Sequence, residues 1–227
     1  MAEPRVRLVV FDMAGTTVRD DDAVNRCLRA ALAGAGVMVT ADAVNAVMGL
    51  PKPEAIRRLL ESDDAASAAS VTSVHADFAE RMRRFYASDP SVSAVDGARE
   101  VFDALRAAAV KVALDTGFDR VIADTVLARL GWSIGDAIDA SITSDQVARG
   151  RPHPDMILAL MQQTGVADPH AVAKVGDTPA DLRSGAAAGC GWNVGVTSGT
   201  HARAALEPYP HTHLVDDIRE LPALFGL

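Results

Sequence analysis

The chain has 227 residues, 49% of them apolar and only 4% aromatic, so its core must be built mainly from Ala, Val, Leu and Ile. That length suffices for one large or two modest domains. The 30 acidic residues against 22 basic ones leave a formal charge of −8, which disfavours nucleic acid or a membrane as partner, because both call for a basic surface.

In chain order, the near-continuous apolar run Val6–Phe11 predicts a first strand ending at Asp12. It is too short for a signal peptide, and no run approaches a membrane span, so a cytoplasmic protein is expected. Cys27 and Cys190 are far apart, show no metal-ligand spacing and read as reduced, buried thiols. Residues 18–92 contain no strand pattern. Ala23–Ala33, Ala41–Val47, Pro53–Leu60 and Val74–Tyr86 each fit a helix, with a soft linker at Asp63–Ser73. The acidic runs Asp20–Asp22 and Asp63-Asp64 read as hydrated loops. These patterns predict a helical insertion over residues 17–95 in a core made of residues 1–16 and 96–227, with linkers near Thr17–Asp22 and Ser88–Asp96.

Beyond the insertion, strands at Val110–Leu114, Ala140–Thr143, Val172–Val175 and Asn193–Val196 alternate with helices at Ala98–Ala109, Arg120–Leu130, Pro154–Thr164 and Ala180–Ala188. Asp217–Phe225 reads as a last surface helix. Unbroken apolar strands alternating with helices predict an α/β fold with a Rossmann-like parallel sheet covered on both faces. Such sheets bind ligands outside the carboxyl ends of their strands. Asp12, Asp115-Thr116, Ser144 and Gly176-Asp177 all fall there.

Four strings then occur in order: DMAGTT from Asp12, LDTG from Leu114, GRPHPD from Gly150 and VGDTPAD from Val175. Together they resemble the haloacid dehalogenase superfamily, and the resemblance covers the whole chain, with the insertion as a C1-type cap. It implies that Asp12 is a nucleophile forming an aspartyl-phosphate. It further implies that Asp12, the Ala14 backbone carbonyl and Asp177 hold Mg²⁺, with Asp181 in support. Thr116, the Gly117 amide and Arg151 would bind phosphoryl oxygens. The substrate class implied is a small phosphonate or phosphate ester.

Ala14 stands where most phosphatases of the superfamily carry a second carboxylate. General acid–base help is worth roughly 10²–10⁴ in rate, or about 3–5 kcal/mol of barrier. Its absence leaves three explanations: a leaving group that needs no acid, a replacement donor, or lost catalysis. Met48-Gly49-Leu50-Pro51-Lys52 resembles the cap segment of the phosphonoacetaldehyde hydrolase (phosphonatase) family, which also has alanine at the position of Ala14. That resemblance implies that Lys52 forms a Schiff base with a phosphonate aldehyde, so that carbon–phosphorus cleavage yields an enamine rather than a carbanion. It also makes a homodimer through the cap possible. Pro53 reads as the first helical residue, which puts Lys52 just outside the positive helix end, where the neutral amine is favoured. Met13, Asp22, Ala55 and Phe118 depart from the phosphonatase pattern, which has tryptophan, cysteine, histidine and tyrosine there. These departures leave the particular aldehyde open, with a phosphomonoester hydrolase or a non-catalytic phosphate-binding protein as alternatives.

Overall fold

The computed structural model describes residues 6–61 and 70–227. The pair Asp63-Asp64 and most of the linker expected at Asp63–Ser73 lie outside the described residues. Six parallel strands form one sheet in the order β3-β2-β1-β4-β5-β6. They are β1 (Leu8–Asp12), β2 (Lys111–Thr116), β3 (Ala140–Thr143), β4 (Val172–Gly176), β5 (Trp192–Val196) and β6 (His213–Val215). The order reverses about β1, which pairs with β2 on one side and β4 on the other. That switch point sets the carboxyl ends of β1, β2 and β4 beside one crevice.

Alternation along the strands divides the core. Val9 and Phe11 point to one face, while Leu8 and Val10 point to the other. On the first face, α5 (Ala98–Ala107) buries Ala98, Val101, Phe102 and Leu105, a helical stripe. The Phe102 ring lies 5.2 Å from Phe11 and 5.1 Å from Trp132. On the second face, α7 (Asp155–Thr164) brings Met156, Ile157, Leu160 and Met161 onto Leu8, Val10 and Ala113. The flanking helices α6 (Arg120–Leu130) and α8 (Pro179–Ala188) start at side-chain caps, Asp119 and Thr178, and stop at left-handed glycines, Gly131 and Gly189.

The helical insertion comprises α1 (Ala23–Gly34), α2 (Ala41–Asn45), α3 (Lys52–Glu61) and α4 (Val71–Ser88). The stripe Val24, Leu28, Ala31 and Leu32 of α1 packs against α4, which buries Val74, Phe78, Met82 and Tyr86 at every fourth position. The two chains joining insertion and core run side by side. The Val95 amide donates to the Thr17 carbonyl at 2.9 Å, the Arg19 amide to Ser93 at 3.0 Å, and Arg19 pairs with Asp96 at 2.9 Å.

Several local expectations are corrected. α3 begins at Lys52, one residue before the proline, because the Ala55 amide already bonds the Pro51 carbonyl at 3.0 Å. β2 and β4 run on to Thr116 and Gly176, so Asp115 lies inside a strand. The edge strand β6 and the short α9 (Arg203–Leu206) were not expected, since three or four residues carry too little periodicity to read. The expected last helix divides at Pro222 into a 3₁₀ turn, Ile218–Glu220, and α10 (Leu221–Leu224), with Ile218 and Leu221 buried. Cys27 and Cys190 are free and half-buried.

Phe102→Ala should destabilise the protein by about 3–5 kcal/mol, because its ring joins Phe11 to Trp132 across the sheet face. Urea unfolding of parent and variant measures the difference.

Candidate active site

At the carboxyl ends of β1, β2 and β4 four aspartates are buried together: Asp12, Asp115, Asp177 and Asp181. Burying ionised carboxylates demands compensating charge or hydrogen bonds. Two buried cations supply part of it. Arg151 donates to Asp12 at 2.6 Å and Asp115 at 3.3 Å, and pairs with Asp181 at 2.8 Å. Lys174 reaches Asp115 at 2.5 Å and Asp181 at 2.9 Å. Burial by itself would raise the Asp181 carboxyl, but Arg151 and Lys174 outweigh it and hold the group below the ordinary carboxylate range.

Asp177 is satisfied differently. It accepts from the Thr16 hydroxyl at 3.1 Å and the Thr200 amide at 2.6 Å, and among the described residues it has no ion-pair partner. Burial is the largest effect raising its carboxyl, with the Asp181 charge adding to it. Burial likewise pushes Asp12 up to about 8 against the pull of Arg151, with Asp181 and Asp177 adding to the rise. Oxygens of Asp12, Asp177 and Asp181 lie within 4.8 Å of one another. Four carboxylates against two cations leave this cluster short of positive charge. A hard divalent cation bound by oxygen ligands fits that deficit, so the acidic cluster can hold a metal ion.

The loop after β1 closes on itself: the Thr16, Thr17 and Val18 amides all donate to the Met13 carbonyl, and Gly15 donates to Val18. None of these bonds uses the Ala14 carbonyl. Met13 itself is buried in the core, away from the cavity. A small cavity of about 30 Å³ lies between this loop and the insertion. It is lined by Asp12, Ala14, Thr116, Gly117, Phe118 and Arg151 from the core and by Met48, Gly49, Lys52 and Asp20 from the insertion side. The expected site residues Asp12, Thr116, Gly117, Arg151, Met48, Gly49 and Lys52 are thus brought to one cavity. Arg151 is held by three aspartates, and among the described residues its Nε has no partner. Thr116 Oγ1 accepts from the Phe118 amide at 3.2 Å, which shapes the turn after β2. Ser144 sits behind that turn, donating to the Gly117 carbonyl at 3.1 Å. His153 is exposed and stands apart.

The Met48–Pro51 turn carries Lys52 into the cavity by lying directly on the core. Gly49 has φ +82°, and a Cβ there would collide with Thr178 Oγ1. A Cβ at Gly117 would meet the Leu50 carbonyl. Lys52 is 4% exposed. Its Nζ lies 5.5 Å from the centre of the Phe118 ring and 5.9 Å from that of Phe78, with Met48 Sδ at 3.9 Å. Burial lowers the Lys52 ammonium to about 8. The helix end stressed by the sequence reading is thus secondary to desolvation. Ala55 is fully buried in α3.

Three site residues escaped the sequence reading. Lys174 had a signal: a charged side chain inside the apolar run of β4 must be paired when buried. Asp115 was seen as a strand end and proves, with Asp181, an acceptor shared by both cations. Asp20 was read as a hydrated loop residue, but it is half-buried and faces the cavity that holds Lys52.

Residues 6–189 match the family model described as haloacid dehalogenase-like hydrolase. A phosphonoacetaldehyde hydrolase of Bacteroides fragilis is 28% identical over 98% of this chain and 97% of its own length. One from Bacillus cereus is 31% identical over 86% of this chain and 77% of its own. Among solved structures, a phosphonoacetaldehyde hydrolase-like protein from Oleispira antarctica superimposes with a TM-score of 0.88 at 24% identity, covering 99% of this chain and 92% of that one. Among the described residues, no helix is long and apolar enough to cross a membrane.

Lys174→Met should cost about 3–5 kcal/mol at neutral pH, because Asp115 and Asp181 lose a buried cation without gaining a partner. The folded-state carboxyl of Asp181 is depressed, so its contribution to the parent is present at neutral pH and lost as pH falls below the ordinary carboxylate range. Urea unfolding at neutral and acidic pH should therefore show the gap between parent and variant narrowing on acidification.

Proposed function

The chain belongs to the haloacid dehalogenase-like hydrolases, on their phosphonatase-like branch, and on that premise we propose that it cleaves the carbon–phosphorus bond of phosphonoacetaldehyde or a related phosphonate aldehyde. The observation that carries this reading is the Lys52 amine, buried in the cavity of Asp12 and lowered to about 8, opposite a loop in which Ala14 can shuttle no proton. An imine-forming enzyme needs a desolvated amine there.

In this reading Lys52, as free amine, attacks the aldehyde carbon, and loss of water leaves a protonated imine. Asp12 attacks phosphorus, and the carbon–phosphorus electron pair passes into the imine to give an enamine. Water then hydrolyses the aspartyl-phosphate, and the enamine takes a proton before the second hydrolysis frees the aldehyde and Lys52. Asp12, Asp177 and the Ala14 carbonyl, supported by Asp181, would hold Mg²⁺, which when bound shields the anionic phosphoryl group from the attacking carboxylate. Thr116, the Gly117 amide and Arg151 Nε, which has no partner among the described residues, receive phosphoryl oxygens. Met48 and Gly49 bound the organic part of the substrate. Lys52 is closed off from solvent, so residues 17–95 act as a cap that opens about its paired linkers to admit substrate.

One observation favours a second reading. Asp20 places a carboxyl in the same cavity, pushed up to about 6 mainly by burial, which offers a phosphomonoesterase the proton donor that Ala14 lacks.

Phosphate release from phosphonoacetaldehyde is expected with Mg²⁺ and should fall on the order of 10³-fold or more in Lys52→Ala. Turnover of p-nitrophenyl phosphate that ignores Lys52 while the phosphonate is untouched would transfer the assignment to the phosphatase. Chelation should silence the enzyme and Mg²⁺ restore it, whereas Asp177→Asn should not be restored. Borohydride trapping of the imine should rise with pH up to about 8 and level off above it, because the attacking species is the unprotonated amine of Lys52.

A further inference from the structure

Asp20 sits where the first linker enters the insertion, and its surroundings are unusual. Residues 20–23 form a tight turn in which the Ala23 amide donates to the Asp20 carbonyl at 2.8 Å. Both central residues of that turn are left-handed non-glycines, Asp21 at φ 43° and Asp22 at φ 65°. Consecutive positive φ values are costly for L residues, although aspartate tolerates them better than most. The turn brings Asp20 Oδ1 to the Val24 amide at 3.2 Å, which anchors the carboxylate at the start of α1. Asp21 and Asp22 stay exposed while Asp20 is half-buried.

Asp20 also lines two neighbouring spaces: the small cavity with Lys52 and Asp12, and a wider vestibule bounded by Arg19, Asp96, Thr200 and Arg219. It therefore stands between the buried amine and solvent. The groups acting on Lys52 are Asp20, Arg151, Asp12 and Asp177, with Asp20 the strongest of these charges. Those acting on Asp20 are Asp177, Lys52 and Asp22. Asp12 is ion-paired with Arg151 and Asp177 accepts from Thr16 and Thr200, whereas Asp20, which accepts from the Val24 amide, has no ion-pair partner among the described residues. Asp20 shares the cavity of the amine beyond direct hydrogen-bond reach, so that a water between them must carry the proton.

We propose that Asp20 is the proton relay of Lys52. This assignment rests on Lys52 being the imine-forming amine. Through a water in the shared cavity Asp20 accepts a proton from the Lys52 ammonium, freeing its lone pair to form the carbon–nitrogen bond as the carbonyl π pair moves to oxygen. The added amine passes its extra proton to that oxygen, giving the carbinolamine. Protonated Asp20 then delivers its proton to the carbinolamine hydroxyl, which leaves as water as the nitrogen lone pair forms the iminium. Asp20 is returned as carboxylate, and the net change is one aldehyde and one ammonium converted to one iminium and one water. The folded-state values of about 6 for Asp20 and about 8 for Lys52 are close enough for the proton to move in either direction.

The test separates a relay from a mere counter-charge, because the two roles move imine formation in opposite directions. Asp20→Asn keeps an acceptor for the Val24 amide and removes only the charge and the proton. Losing the anion lowers the Lys52 pKa, so acetylation of Lys52 by acetic anhydride, followed by peptide mass spectrometry, should shift its midpoint to lower pH. Borohydride trapping with phosphonoacetaldehyde should nevertheless slow by about 10²-fold despite the larger fraction of free amine. Asp20→Glu should recover part of the trapping rate, Asp22→Asn should behave as parent, and thermal melting checks that each variant is folded. Trapping that is unchanged or faster in Asp20→Asn overturns the relay, as does an acetylation midpoint that does not move. A parent protein that yields no trapped imine overturns the imine reading itself and this proposal with it, and is recognised before any substitution is compared.

Discussion

The rest of the structure depends on a charge imbalance at the carboxyl edge of the sheet. Four aspartates are buried there, and Arg151 and Lys174 are the cations that pair with them. In a low-dielectric interior such an excess is costly, and it makes the site a receptor for added positive charge. Asp177, satisfied among the described residues by a hydroxyl and an amide alone, is where that demand is strongest. The same excess bears on Asp12, which Arg151 orients while its neighbours resist its ionisation. A bound cation and an ionised Asp12 therefore favour each other.

The insertion answers a different constraint. In the proposed reaction Lys52 has to be out of water to lose its proton near neutrality, yet it must meet a substrate held by the core. The Met48–Pro51 turn meets both requirements by lying against Gly117 and Thr178, with no Cβ at Gly49 or Gly117 to hold it off. Phe78 and Phe118 close the amine in, and Phe118 belongs to the core turn that also carries Thr116 and Gly117. One closed arrangement thus desolvates the amine and brings it to the turn that carries Thr116 and Gly117. The loss of a carboxylate at Ala14 and the gain of a buried amine at Lys52 are consistent with a leaving group stabilised by electron withdrawal rather than by protonation.

Much of this was legible from residue order. Apolar runs separated by amphipathic stretches specify buried parallel strands and covering helices, and the polar residues after each run mark the ligand edge. That reasoning located Asp12, Thr116 and Asp177, and the helical pattern between the first two strands located the insertion. Its errors were local. Lys52 proved the first residue of α3, and the C-terminal segment divided at Pro222, because end positions depend on hydrogen bonds that periodicity does not encode.

What the sequence determined by itself was the fold class and the strand-end aspartates, since both are written in residue type and short-range spacing; the link between Ala14 and Lys52 was only implied by the resemblance of the cap segment to the phosphonatases. Only the tertiary structure decided which charges meet. Lys174 and Asp115 are 59 residues apart in the chain, and nothing local to either predicts their contact. Asp20 has the same composition around it as a solvated loop, and only the packing of the linker against the cavity sets it apart from Asp21 and Asp22. Desolvation and Coulomb coupling are properties of distance in three dimensions, so the protonation chemistry of this site could not be read before the chain was folded.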